Sequence, residues 1–180
     1  MKIIETEIPD VKLVIPSVFK DDRGYFMEAY RESSFRDAGI NTNFVQDNQS
    51  LSGKGILRGL HFQAPPYAQA KLVKVVAGAV LDVAVDIRPN SPTYGKHVKQ
   101  VLSIENMHQL YIPEGFAHGF VTLEENTVFQ YKCGDYYNKE SEGAIFWNDT
   151  DLNIDWGIEN PMISEKDKEA PLFMDFVSPF

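Results

Sequence analysis

The residues best suited to chemistry sit in one short stretch, Gly55–Gln63, which reads G-I-L-R-G-L-H-F-Q. Arg58 supplies a planar cation that grips phosphate or carboxylate with two parallel hydrogen bonds. His61 supplies an imidazole, the side chain suited to moving protons near neutral pH. In a regular strand, residues three apart face opposite sides. Arg58 and His61 therefore line one pocket only if Gly59 permits a bulge or twist.

Four further residues belong with this pair. Lys71 heads an apolar series; if the register holds, its ammonium points inward, where a fixed cation stabilises a phosphate or a developing oxyanion. An edge lysine snorkelling to solvent fits the same spacing. Pro113-x-Gly115-x-x-His118 shapes a turn that delivers His118 at the start of a strand. Tyr131 closes the stretch Thr127–Tyr131, and a tyrosine hydroxyl on a pocket wall donates a proton, although most buried tyrosines only pack. Asp167 ends Ser164-Glu165-Lys166-Asp167, a helix-capping pattern with Ser164 at the N-cap. The alternative is a hydrogen bond from Asp167 to His61 that fixes the imidazole tautomer. The sequence leaves both open.

Other chemistries lack their signatures. The four histidines are His61, His97, His108 and His118, with no His-x-His, so a bound catalytic metal is not expected. There is no Gly-rich phosphate loop and no Gly-x-Ser-x-Gly elbow, and Cys133 has no activating neighbours in sequence. A nucleotide would have to be held by side-chain charge and stacking.

The elements that must position these residues are mostly strands. Lys2–Glu7 and Val11–Pro16 are short β-like pieces. Phe19–Tyr30 holds an Asp22-Arg23-Gly24 turn and then a strand. Arg31–Ala38 is a helix candidate with Gly39 placed to end it. Phe44–Ser50 is polar and reads as a loop before the central strand. From Lys71 to Ile87 the odd positions are Lys, Val, Val, Ala, Ala, Leu, Val, Val and Ile, while Lys74, Gly78, Asp82 and Asp86 occupy even ones. That alternation predicts two strands turning at Ala77-Gly78. Arg88–Gly95 is a rigid turn with two prolines. Strands are predicted at Lys99–Ile104, Gln109–Ile112, His118–Thr122, Thr127–Tyr131 and Gly143–Trp147, and a short helix at Ser164–Glu169. Many short strands with two brief helices predict an all-β barrel or sandwich, of the jelly-roll or double-stranded β-helix kind, whose mouth offers a ligand pocket. No repeat, low-complexity segment or linker divides residues 1–180, so one domain is expected.

The totals narrow the partners. A net charge of −9 argues against a general binder of nucleic acid or anionic membrane. An anionic small ligand needs only a local cluster such as Arg23, Arg58 and Lys71. Cys133 is the single cysteine, which rules out an internal disulfide and fits a reducing compartment. No apolar run approaches about 18 residues and the N-terminus lacks a signal-peptide core, so a soluble, cytoplasmic protein is expected.

Eight segments in one order carry a resemblance. They are Asp22-Arg23-Gly24-x-Phe26-x-Glu28, Gln46-Asp47-Asn48-x-Ser50, Arg58-Gly59-Leu60-His61-Phe62-Gln63 and Gln69-x-Lys71-Leu72-Val73. Then follow Ile112-Pro113-x-Gly115-x-x-His118-Gly119-Phe120, Tyr131-Lys132-Cys133, Glu140-x-Glu142-Gly143 and Ile163-Ser164-x-Lys166-Asp167. From about residue 5 to residue 175 the chain closely resembles the dTDP-4-dehydrorhamnose 3,5-epimerases, cupin-type enzymes of dTDP-L-rhamnose synthesis.

The resemblance implies a double-stranded β-helix (cupin, jelly roll) with short flanking helices, a homodimer with exchanged strands, and neither metal nor cofactor. It implies dTDP-4-dehydro-6-deoxy-D-glucose as substrate, inverted at carbons 3 and 5 to dTDP-4-dehydro-L-rhamnose. By matching position His61 is the general base, supported by Asp167; Tyr131 is the acid for the opposite face; Lys71 sits by the carbon-4 oxygen. Arg23, Phe26, Glu28, Gln46, Asp47, Asn48, Arg58, His118, Glu142 and Lys166 match nucleotide or sugar contacts, some reaching across the dimer. Four rivals stand beside this: a single-carbon epimerase of another deoxysugar route, a sugar-nucleotide 3,4-ketoisomerase, a non-catalytic sugar-nucleotide-binding cupin, and a metal-dependent cupin enzyme.

Overall fold

Strands that alternate apolar and polar residues bury their apolar faces most economically against a second sheet. The computed structural model, which describes residues 1–180, realises that arrangement. The chain begins with the antiparallel pair β1 (Lys2–Glu5) and β2 (Lys12–Ile15), followed by an outlying hairpin of β3 (Val18–Asp21) and β4 (Gly24–Met27). Helix α1 (Glu32–Asp37) leads into β5 (Gln46–Ser52), β6 (Leu57–Gln63), β7 (Lys71–Ala77) and β8 (Ala79–Asp86). Next come β9 (His97–Ser103), β10 (Gln109–Ile112), β11 (Phe116–Thr122), β12 (Thr127–Cys133) and β13 (Glu142–Ala144), and then α2 (Glu165–Lys168). Single 3-10 turns at Lys139–Ser141 and Phe173–Asp175 were not legible in the sequence.

The strands form two antiparallel sheets, β1-β2-β10-β7-β12-β5 and β13-β6-β11-β8-β9. Between them lies a core that includes Val73, Val75, Val80, Leu110, Phe116, Phe120 and Phe129. Fully burying a ring such as Phe129 contributes about 2–3 kcal/mol relative to leaving it in water. A second core covers the outer face of the smaller sheet, where Leu57, Leu60, Val83 and Val85 pack against Ile145, Trp147, Leu152 and Trp156. A third lies under α1, with Phe35 and Ile40 against Leu72 and Tyr111. This is the expected jelly-roll sandwich, and the mouth between its sheets is the site.

Two expectations need correction. Phe44–Ser50 was expected to be a loop, but Gln46–Ser52 is β5, paired along its whole length with β12. Its polarity reflects its place at a sheet edge: 46, 48, 50 and 52 are partly or fully buried, while 47, 49 and 51 are exposed. The second concerns Lys71–Ile87, whose two strands turn at Gly78 as expected but do not share one alternation. The odd positions of β7 do face the inter-sheet core, but the turn at Gly78 (φ +77°) changes the parity. In β8 the even residues Val80 and Ala84 face the core, and Asp82 with them, while odd Val83 and Val85 serve the second core. β8 is thus apolar on both faces, and Asp82 is buried inside rather than solvated outside. Elsewhere strand ends moved by a few residues, as in Gly143–Trp147, where pairing with β6 runs Glu142–Ala144.

Candidate functional site

The bulge anticipated at Gly59 is present. β11 pairs with β6 through His118↔His61 and Phe120↔Arg58, so three steps on β6 oppose two on β11. Gly59 takes φ +139°, closed to other residues, and a Cβ there would lie 2.5 Å from the Gly119 Cα. The extra residue lets Leu57 and Leu60 both reach the second core while Arg58 and His61 both line the inter-sheet cavity. That cavity measures about 640 Å³, within the range of small-ligand sites.

His61 Nε2 lies 2.5 Å from Asp167 Oδ1. Asp167 is almost wholly buried, which pushes its carboxyl up. The opposing hydrogen bonds from His61 and Ser164, with a backbone bond from Gly59, prevail and hold it below the ordinary carboxylate range. An ionised carboxylate only accepts, so Nε2 carries the proton and Nδ1 of the neutral ring is the basic nitrogen. The capping contact exists as well, with the Asp167 backbone N–H donating to Ser164 Oγ at 3.1 Å. Both sequence readings of Asp167 hold, because α2 presents the residue through its first turn.

On the facing sheet, Lys71 of β7 and Tyr131 of β12 line the same cavity. The Lys71 ammonium lies 5.9 Å from the centre of the Tyr131 ring. Burial pulls the lysine below its usual pKa, against the fields of Cys133, Asp82 and Glu142. Burial pushes the Tyr131 phenol up, so it holds its proton well above neutral pH. His118 lines the cavity from β11, its Nε2 2.9 Å from Asp82 Oδ2 in a fully buried pair. Burial also holds His118 below the usual imidazole range, partly offset by Asp82. Asp82 Oδ1 has no hydrogen-bond partner.

At the mouth, Arg58 Nη2 donates to Ser52 Oγ at 3.2 Å. Lys166 pairs with Glu142 at 2.6 Å, and Tyr137 donates to the same carboxylate at 3.2 Å. Burial raises the Glu142 carboxyl, but Lys166 and Tyr137 outweigh it and bring it below the ordinary range. No three His, Cys, Asp or Glu side chains are gathered to ligate a metal.

Eight of the fourteen residues singled out from the sequence therefore meet in one cavity: His61, Tyr131, Asp167, Lys71, Arg58, His118, Glu142 and Lys166. The remaining six lie outside its lining. Gln46 and Asn48 are on β5 just beyond it, bonded to each other, and Asn48 donates to Cys133 Sγ. Asp47 faces outward to Lys132. Arg23, Phe26 and Glu28 belong to the outlying hairpin and its exit; Arg23 pairs with Asp21 and Glu28 with Arg31. Phe26 is 70% exposed. The sequence reading missed Asp82, Phe120 and Phe129 as parts of the site. A carboxylate inside the most strand-like run of the chain was the available signal for Asp82.

His61 and Tyr131 come from opposite sheets, so they approach a ligand from opposite walls, with a half-buried cation beside the phenol. This arrangement can remove a proton on one face of a carbon, stabilise the carbanion as an enolate, and return a proton to the other face.

Comparison with known proteins agrees. A family model for dTDP-4-dehydrorhamnose 3,5-epimerase matches residues 5–175. The dTDP-4-dehydrorhamnose 3,5-epimerase of Shigella flexneri is 53% identical over 176 residues, covering 97% of each chain. The crystal structure of the enzyme of that name from Elizabethkingia anophelis NUHP1 superposes with a TM-score of 0.93 at 53% identity, covering 97% of each chain. A dTDP-6-deoxy-D-glucose-3,5-epimerase from Legionella pneumophila Philadelphia 1, solved with dTDP-4-keto-L-rhamnose, has a TM-score of 0.92 at 48% identity, covering 95% of this chain and 92% of that one.

Proposed function

Because the chain belongs to the dTDP-4-dehydrorhamnose 3,5-epimerase family, we propose that it inverts carbons 3 and 5 of dTDP-4-dehydro-6-deoxy-D-glucose through His61 and Tyr131. The opposed placement of these two groups across one cavity carries the assignment of roles.

Carbons 3 and 5 both adjoin the carbon-4 ketone, so one catalytic apparatus serves both. His61 Nδ1 takes the proton, and Asp167 holds the ring and balances the imidazolium. The electron pair moves into the carbonyl, and the charge on the carbon-4 oxygen faces Lys71. Tyr131 then protonates the carbon from the opposite side and regains its proton from solvent, while His61 releases the one it took. The ketone is itself the electron sink, so the reaction calls for no redox cofactor. Arg58 and Lys166 supply positive charge at the mouth for the diphosphate.

The distant Arg23, Phe26 and Glu28 fit a homodimer in which each β3–β4 hairpin closes the partner's cavity. Phe19, Tyr25 and Phe26 leave that hairpin with exposed aromatic surface, which calls for a covering partner. A nucleotide-sugar substrate and an unpaired cysteine fit a cytoplasmic enzyme acting as one domain.

His61→Asn tests the base: turnover falls at least about 1000-fold while dTDP affinity stays near wild type, and retained turnover overturns the assignment. Mixing Arg23→Ala and His61→Asn chains tests the dimer. Sharing across subunits restores about a quarter of wild-type activity through one intact site per hybrid, half of the dimers formed being hybrid; no restoration overturns it.

A further inference from the structure

One part of the cavity wall has no polar group. Phe120 of β11 and Phe129 of β12 meet there from opposite sheets, with ring centroids 4.0 Å apart and planes inclined at 22°. The His118 ring lies nearly parallel to Phe129 at 6.1 Å, and the Tyr131 ring is 5.9 Å from Phe129. This apolar floor is thus built directly against His118 and Tyr131 of the site. Both rings are buried, whereas Leu51 and Met162, other apolar residues on the wall, are largely exposed.

We propose that the Phe120–Phe129 floor is the subsite for the carbon-6 methyl group and selects 6-deoxy sugars over their 6-hydroxy counterparts. The proposal rests on the epimerase reading for the identity of the sugar. In that sugar every ring carbon bears oxygen, and the methyl is the one purely apolar substituent. Carbon 6 is two bonds from carbon 4, so a ketone oxygen facing Lys71 brings the methyl among the immediate neighbours of Lys71, His118 and Tyr131. Phe129 is the apolar neighbour of both His118 and Tyr131, and Phe120 stacks on it. A hydroxyl directed at the faces of two stacked rings loses its water, and the rings themselves offer it neither acceptor nor donor. An apolar pocket discriminates against an added hydroxyl by up to about 100-fold.

The test compares two ligands that lack the ketone and cannot react, dTDP-6-deoxyglucose and dTDP-glucose, by titration calorimetry. The 6-deoxy ligand binds wild-type protein about 10- to 100-fold more tightly. Phe120→Ser opens room for a hydroxyl and a water, and Phe120→Tyr offers a phenol; either lowers the preference at least fivefold while dTDP alone binds as before. Equal binding of the two ligands by the wild-type protein overturns the proposal, as does a full preference in a folded Phe120→Ser variant. If neither variant folds, the wild-type ratio decides. The epimerase reading is tested separately by deuterium exchange into the keto substrate, so either can fail without the other.

Discussion

Gly59→Ala is the substitution whose effect follows most directly from the backbone. Two costs combine. At φ +139° an alanine occupies a region essentially closed to L-residues, worth about 1–3 kcal/mol. Its Cβ would also stand 2.5 Å from the Gly119 Cα and 3.0 Å from the His118 carbonyl oxygen, against an ordinary contact of about 3.5–4 Å. Both obstacles are backbone, so no side chain can swing away, and β6 must part from β11 by roughly 1 Å. We expect a loss of about 2–4 kcal/mol in urea unfolding, or about 5–15 °C in melting temperature for a domain of this size. The displaced strand carries His61, and a 1 Å error in a reacting group costs about 100-fold in rate. The assay is kcat/KM with the keto substrate beside equilibrium unfolding. Gly157→Ala is the control: its φ is +67° with nothing within 4 Å of the new Cβ, so it costs about 1 kcal/mol and no activity. A Gly59→Ala protein with wild-type stability and rate would refute the claim that this bulge brings Arg58 and His61 to one pocket.

Further outcomes follow from the roles proposed for Tyr131 and Lys71. Tyr131→Phe leaves His61 able to remove and return a proton on its own face. Carbons 3 and 5 then still exchange with deuterated water, monitored by proton NMR, while inversion is lost; inversion at the wild-type rate excludes Tyr131 as the acid. Lys71 is held below its ordinary pKa by burial and Tyr131 above its own. As pH rises, the Lys71 ammonium therefore loses its proton below the ordinary lysine range, and kcat/KM declines there. Lys71→Arg keeps its charge and moves that decline upward, whereas Lys71→Met lowers kcat about 100- to 1000-fold at neutral pH. An alkaline limb unchanged in Lys71→Arg would contradict the assignment.

Much of this was legible because strand periodicity is local. The spacing leaves Lys71 open between an inward cation and a lysine snorkelling to solvent, and the structure places it on the cavity wall. The conflict between Arg58 and His61 was visible in their spacing, and the only residue able to resolve it, Gly59, lies between them. Asp167 was ambiguous because a cap and a long-range hydrogen bond place the same demand on sequence, a short acidic side chain; the structure satisfies both. Asp82 escaped because the parity of β8 depends on the turn at Gly78 and on a C-terminal segment about 60–75 residues further along the chain covering the odd face. β5 escaped because an edge strand beside a polar cavity needs no apolar face. Phe120 and Phe129 fall in stretches predicted as strands; that they floor the cavity depends on how two sheets meet.

The central claim is that one base and one acid act in turn at two carbons. Proton NMR of dTDP-4-dehydro-6-deoxyglucose with the protein in deuterated water tests it most directly. Loss of the carbon-3 and carbon-5 proton signals, with deuterium in the L-configured product, is the predicted result. Exchange at carbon 3 alone would reduce the activity to a single inversion by the same residues. No exchange at either carbon, with the ligand still bound, would contradict the roles given to His61 and Tyr131.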